Sequence, residues 1–226
     1  MSLVNVVNLS EKHCQYPILV KLKYATDRNF VGRPIDGYKA LNVALMTGNA
    51  AKKLCEVQNS LIENHGYGLI IYDAYRPKRA VEDFIHWSKQ PVSSLYELER
   101  KIKHYPNIEK YQLFDLGYVS KDSNHCYGNT VDVFLFDFSR NRKIDMGACF
   151  DYMDEKSHLT ANEKEIGREA YNNRQILSET MQKFDFEPYS KEFWHFSHQG
   201  QNGREVETPM DIEITPDMKN STVGRK

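Results

Sequence analysis

Residues 123–138 read SNHCYGNTVDVFLFDF. The second half, Val131–Phe138, is rich in β-branched and aromatic side chains and reads as a central strand. Residues two apart on a strand share a face. Asp132 therefore points with Phe134 and Phe136, while Val131, Val133 and Leu135 take the other side. A carboxylate at the start of a strand that is apolar on both faces is expensive unless something compensates it, and a metal ion is one such partner. His125 lies upstream with Gly128 between, and glycine permits the sharp reversal that would swing His125 back toward Asp132. Taken alone, the simpler reading is that Asp132 caps a turn and His125 sits on a surface loop.

Outward from this strand, residues 48–65 (GNAAKKLCEVQNSLIENH) place Ala51, Leu54, Cys55, Val57, Leu61 and Ile62 on or near one helical face. Gly66 and Gly68 stop that helix. Leu69–Tyr72 is a short apolar run of the kind found in buried strands. Pro77 then opens a helix through Trp87, and Ser93–His104 reads as another. On the other side, Thr160 and Glu163 form a T-x-x-E capping box that would start one long helix to about Lys183. Phe184–Ser190 and Phe193–Ser197 read as two final strands. Met210–Thr215 alternates apolar and acidic residues and suggests an edge strand, and the last ten residues are expected to be mobile. Helices and strands mix without βαβ regularity. The expected fold is α+β, with a small, mostly antiparallel sheet and flanking helices. It forms one domain over 1–226, with a core at about 20–198 and a polar tail at 199–226.

Composition narrows the function. Lys+Arg 30 against Asp+Glu 31 gives a net charge of −1, without the basic excess of a nucleic-acid binder. No apolar run approaches membrane-spanning length. The first twenty residues lack a basic start, a sustained apolar stretch and a cleavage site. A cytoplasmic protein is expected, with a periplasmic location left open if the N-terminus has been trimmed. Cys14, Cys55, Cys126 and Cys149 include no C-x-x-C pair, so free thiols are expected rather than a zinc ribbon or disulfide framework. Cys126 beside His125 could be a thiol nucleophile, a reading ranked below a metal site.

Two further clusters carry chemistry. In Glu192-Phe193-Trp194-His195, a neutral imidazole is the commonest protein metal ligand, and a nearby Glu could act on a water at the metal. A regular strand would turn Glu192 and His195 to opposite sides, so Glu192 must sit in a bend before the strand, or its role fails. The alternative is a core aromatic strand with one hydrogen-bonded His. In Asp73-Ala74-Tyr75-Arg76-Pro77, an Arg at a strand-to-helix junction can reach into a cleft and hold a developing oxyanion, or can pair with Asp73 to fix the turn. The two roles are compatible. Together the clusters supply the parts of a zinc hydrolase, in which three protein ligands leave a fourth position open.

The stretches S-x-H-x-x-G-x-x-x-D at Ser123–Asp132 and E-x-W-H at Glu192–His195 resemble the D-alanyl-D-alanine dipeptidases of the vancomycin-resistance type, within the wider zinc D,D-peptidase group. Lys23-Tyr24-Ala25-Thr26, Asp36-Gly37-Tyr38, Asp73–Ala80 (DAYRPKRA), Tyr105–Ile108 and Phe150–Glu155 extend the likeness across roughly residues 20–198. The resemblance implies one zinc per chain held by His125, Asp132 and His195. It implies Glu192 as general base and then proton donor, and Arg76 as oxyanion stabiliser. It places Asp151 and Tyr24 in the pocket, with Asp151 suited to a substrate ammonium, and puts Ser123 and Tyr38 on pocket-associated positions. The implied partner is a small D,D-dipeptide, with an oligomer allowed. The chain departs from the family at Thr130, at Cys126-Tyr127 and at Phe193. A zinc D,D- or L,D-carboxypeptidase acting on cell-wall stem peptides is the nearest alternative. A zinc-stabilised binding module is the alternative outside enzymes.

Overall fold

The computed structural model describes residues 2–199, 205–220 and 223–224. Ser2–Asn5 (β1) leads into Val6–His13 (α1) and then Leu19–Val20 (β2). Leu45–Thr47 (β3) runs into Gly48–His65 (α2), followed by Tyr67–Asp73 (β4), Lys78–Ser88 (α3) and Leu95–His104 (α4). Thr130–Asp137 (β5) and Arg142–Lys143 (β6) precede Glu163–Ile166 (α5) and Arg168–Lys183 (α6). Phe186–Tyr189 (β7), Glu192–His198 (β8) and Val223–Gly224 (β9) close the order.

The main sheet runs β2-β4-β5-β8-β7, with β6 paired to the end of β5. Only β2–β4 is parallel. All eight residues of β5 are buried, which is why its sequence is apolar on both faces rather than alternating. Phe134 meets Tyr72, Phe150, Phe193 and Trp194 in a continuous aromatic layer. Helices α2 and α6 pack against the sheet. Leu54, Val57 and Leu61 of α2 are fully buried, and each such side chain contributes about 1.5–3 kcal/mol on leaving water. Gly66 ends α2 in the left-handed conformation, with φ 70° and its N–H donating to the carbonyls of Ile62 and Leu61.

Three expectations are corrected. Asn162, not Thr160, caps the late helical region, in a reciprocal box with Glu165. The region is two helices, because Gly167 (φ 85°) breaks α5 from α6. Residues 210–215 make a single bridge, Tyr38 to Ile214, rather than an edge strand. At the chain end, Pro216–Asn220 forms a 3-10 turn and β9 pairs with β1, while 221–222 and 225–226 lie outside the described residues. The folded layer also reaches past 20–198. A second sheet, β3-β1-β9, uses residues 2–5, and Leu3, Val6, Met210 and Ile214 join the core.

Candidate active site

Strand register explains how distant residues meet. Asp132 on β5 pairs directly with His195 on β8, and cross-strand partners on one face lie ~4.5–5.5 Å apart at Cβ. His125 arrives from a 3-10 turn, Asn124–Tyr127, ended by Gly128 at φ 76°. A Cβ at Gly128 would stand 2.6 Å from Cδ2 of Leu3, so both the backbone angle and the space require glycine there. The turn is tied back to β4's end: Nδ1 of His125 donates to the carbonyl of Ala74 at 2.6 Å, and the N–H of Arg76 donates to the carbonyl of His125.

Nε2 of His125 and Nδ1 of His195 lie 3.3 and 3.1 Å from Oδ1 of Asp132. One donor atom from each of the three residues falls within 4.8 Å of the others. Yet Oδ1 of Asp132 is buried without a hydrogen-bond partner among the described residues, an arrangement that costs free energy unless a cation fills it. The bond to Ala74 leaves Nε2 of His125 with its lone pair facing the cluster, as a ligating imidazole needs. Burial, resisted by Asp132 and aided by His125 and Arg76, lowers the pKa of His195 and keeps that ring neutral. Asp132 stays ionised, because His125 and His195 outweigh the effect of its burial. Two imidazoles and an ionised carboxylate form a donor set that fits zinc.

Glu192 reaches the same face through an irregularity. Along β7–β8, Pro188 pairs with Phe196 but the next residue, Tyr189, pairs with Glu192. Residues 193–195 are thus out of regular register, and Oε2 of Glu192 comes within 3.5 Å of Nδ1 of His195. The required bend exists, inside the strand rather than before it. Burial, then the nearby charges of Asp132 and Asp151, push the Glu192 carboxyl well above its usual range. A second bulge, between Ile71 and Asp73 on β4, sets Asp73 opposite Asp132. Bulges often re-aim side chains beside active sites.

Arg76 is buried and directed. Its Nε and Nη2 both lie 2.9 Å from Oδ2 of Asp73, while Nη2 is 3.9 Å from Asp132. Its guanidinium carbon sits 5.1 Å from the Tyr24 ring centroid and 5.4 Å from that of Phe84. Burial opposes its charge, but Asp73, Tyr24, Tyr38 and Asp132 hold it. Tyr38 does not line the cavity. Its hydroxyl donates to Oδ1 of Asp73 at 2.6 Å, so it stands one layer behind Arg76. Asp73 is the residue whose reach the sequence did not disclose: it is fully buried and contacts Arg76, Tyr38 and, at 3.6 Å, Nδ1 of His125. Its pairing with Arg76 was legible from spacing; its contacts to residues 38 and 125 were not.

Arg76, His125, Asp132, Glu192 and His195 line a cavity of about 190 Å³, smaller than the ~300–1,000 Å³ of sites for drug-sized ligands. Ser123, Tyr24 and Asp151 line it too. The Tyr24 hydroxyl donates to both Asp151 oxygens, at 3.1 and 3.2 Å. Asp151 holds φ 58°, a conformation that costs an L-residue ~1–2 kcal/mol but that Asp adopts more readily than most. Burial and Asp132 raise its pKa well above the ordinary value, against the pull of Arg76. Tyr118 and Tyr189 line it as well, with Tyr189's ring 5.6 Å from His195's. Two of the departures are accounted for locally: Tyr127 donates to Asp122, and Thr130 bonds Ser197 across the strands.

A profile of the D-ala-D-ala dipeptidase family matches residues 12–213. A D-alanyl-D-alanine dipeptidase of Enterococcus faecalis is 42% identical over 174 residues, covering 77% of this chain and 82% of that protein. One from Streptomyces coelicolor is 38% identical over 178 residues, 77% of this chain and 83% of its own length. One from Escherichia coli is 32% identical over 177 residues, 78% and 77% of the two chains.

Proposed function

Because the chain belongs to the D-ala-D-ala dipeptidase family, we propose that it is a zinc metallopeptidase of one domain that hydrolyses D-alanyl-D-alanine to free D-alanine. The observation that carries this reading is the small cavity in which Arg76, Glu192 and the His125–Asp132–His195 cluster face Asp151. His125, Asp132 and His195 would hold the zinc. When bound, it would supply Lewis-acid polarisation of the scissile carbonyl and acidify water.

The chain's own residues do the rest. Glu192 takes the proton of the attacking water on its carboxylate and passes it to the leaving amine nitrogen. Its raised affinity for a proton suits the second half of that task. Arg76 donates to the carbonyl oxygen as negative charge develops there. A donor of this kind is worth ~3–4 kcal/mol, provided it is held in place before reaction, and Asp73 holds it. Asp151, with Tyr24 on its oxygens, accepts the substrate ammonium, and Ser123 lines the wall beside it. A carboxylate this buried is costly without its cation, which makes an unblocked amine part of recognition. The small volume supports a dipeptide over a stem peptide. The four free thiols support a cytoplasmic location, and no helix among the described residues is long and apolar enough to cross a membrane.

The test compares kcat/KM for D-Ala-D-Ala, L-Ala-L-Ala, N-acetyl-D-Ala-D-Ala and a longer peptide ending in D-Ala-D-Ala. The free D,D-dipeptide should be the best substrate, and Asp151→Asn should narrow its advantage over the acetylated form. If the longer peptide is cleaved best, the enzyme is a carboxypeptidase instead.

A further inference from the structure

Behind the wall that carries Asp151 lies a second, larger cavity of about 520 Å³. Neighbouring residues divide their side chains between the two. Tyr24 and Asp151 line the first, while Lys23 and Phe150 line the second. On β5, Asp132 lines the first and Phe134 the second. The second cavity shares a wall with the candidate active site but none of its lining residues.

Its chemistry is the opposite of the first. Four cations line it: Lys23, Arg28, Lys103 and Lys143. The acidic side chain in its lining, Asp145, already accepts from the N–H of Gly147 at 2.9 Å. None of the four cations forms an ion pair among the described residues. Lys23 is half-buried, with Nζ 4.5 Å from the Tyr72 ring centroid. Its burial and the repulsion from Lys143, Arg28 and Lys103 lower its pKa, with Asp151 pulling the other way. Like charges gathered around one concavity repel one another, and an anion bound among them relieves that repulsion.

One polar side chain in the lining is buried. His104 is 3% exposed and lines the same cavity. Its Nδ1 lies 3.2 Å from the carbonyl of Asp151, so the neutral ring carries its proton there. That leaves Nε2 as a buried acceptor with no partner among the described residues.

We propose that this cavity is a second ligand site that binds a phosphate group, as inorganic phosphate or a small phosphate ester. Shape and charge favour phosphate over carboxylate. Lysines contact an anion as point charges from separate directions. A tetrahedral dianion can present an oxygen to each of several ammonium groups, whereas a planar carboxylate offers two oxygens and a single charge.

The experiment is calorimetric titration of the zinc-loaded enzyme with inorganic phosphate, glycerol phosphate and citrate, at constant ionic strength in chloride. We expect saturable binding of one phosphate or phosphate ester per chain, and the tighter of the two identifies the source. Lys103→Gln and Lys143→Gln change exposed side chains that form no ion pair among the described residues. Each should weaken binding about tenfold, the scale of one charge-assisted contact. Arg76→Gln, in the other cavity, should leave the affinity unchanged. The proposal is overturned if phosphate does not saturate, if citrate binds and phosphate does not, or if the lysine variants bind as wild type. It is also overturned if Arg76→Gln abolishes binding, which would place the phosphate in the first cavity. None of these readouts depends on which peptide the enzyme cleaves.

Discussion

Replacing Asp73 by Asn tests whether Arg76 works because it is held. The change is nearly isosteric, so it leaves no cavity. It removes one negative charge from a fully buried position and replaces a carboxylate oxygen with an NH2 group. The two oxygens now serve different donors: Oδ2 takes Nε and Nη2 of Arg76, and Oδ1 takes the Tyr38 hydroxyl at 2.6 Å. An amide can accept on one side only, so either Arg76 or Tyr38 loses its acceptor. Removing one partner of a buried ion pair costs ~3–5 kcal/mol. Asp132, with Oδ2 3.9 Å from Nη2 of Arg76, offsets part of that loss, so the low end, about 3 kcal/mol, is expected. For a chain of this size ~2–4 °C is lost per kcal/mol, which gives a melting temperature about 6–12 °C lower. Asp73 is outside the proposed ligand set, so zinc content should stay near one per chain. Turnover should fall by about 10²–10³, the range for loss of one oxyanion donor, with KM little changed. The assays are thermal unfolding, metal analysis and steady-state hydrolysis on the same preparation. A folded, zinc-loaded Asp73→Asn enzyme with wild-type kcat would refute the reasoning, because Arg76 would then keep its aim without its partner.

Three other outcomes follow from the same site and its surroundings. Metal analysis should find one zinc per chain, and chelation should abolish activity and lower the melting temperature, since an ion that binds only the folded state stabilises it; active protein stripped of all metal would contradict this. Glu192→Gln should keep zinc and fold but lose about 10²–10⁴ in kcat, and near-normal turnover would remove Glu192 from proton transfer. Burial lowers the pKa of His104 to about 4 from 6.5. The folded value lies below the unfolded one, so its contribution is complete above pH 6.5 and is lost as pH falls toward 4. The loss is on the order of 3 kcal/mol. His104→Asn should flatten the acid limb of a stability–pH curve, and an unchanged slope between pH 6 and 4 would assign that limb to other groups.

The sequence alone disclosed the features set by local chemistry. Period and composition located α2 to the residue and β4 and β5 to within a residue or two, because burial on both faces leaves an unmistakable apolar run. Spacing also paired Arg76 with Asp73, and the co-linear motifs singled out His125, Asp132, Glu192 and His195. Where neighbouring caps competed, as between Thr160 and Asn162, the local signal misled, since either residue can satisfy the same free N–H groups. Tertiary structure alone decided how these residues meet. The direct pairing of Asp132 with His195, and the two shifts that turn Glu192 and Asp73 inward, are properties of strand register. Register is set by the whole sheet, and a slip of one residue turns a side chain to the opposite face. The same holds for β1 and β9, whose short stretches carry no strand signal by themselves and form a sheet only because β3 and the core beneath them leave backbone groups to be satisfied.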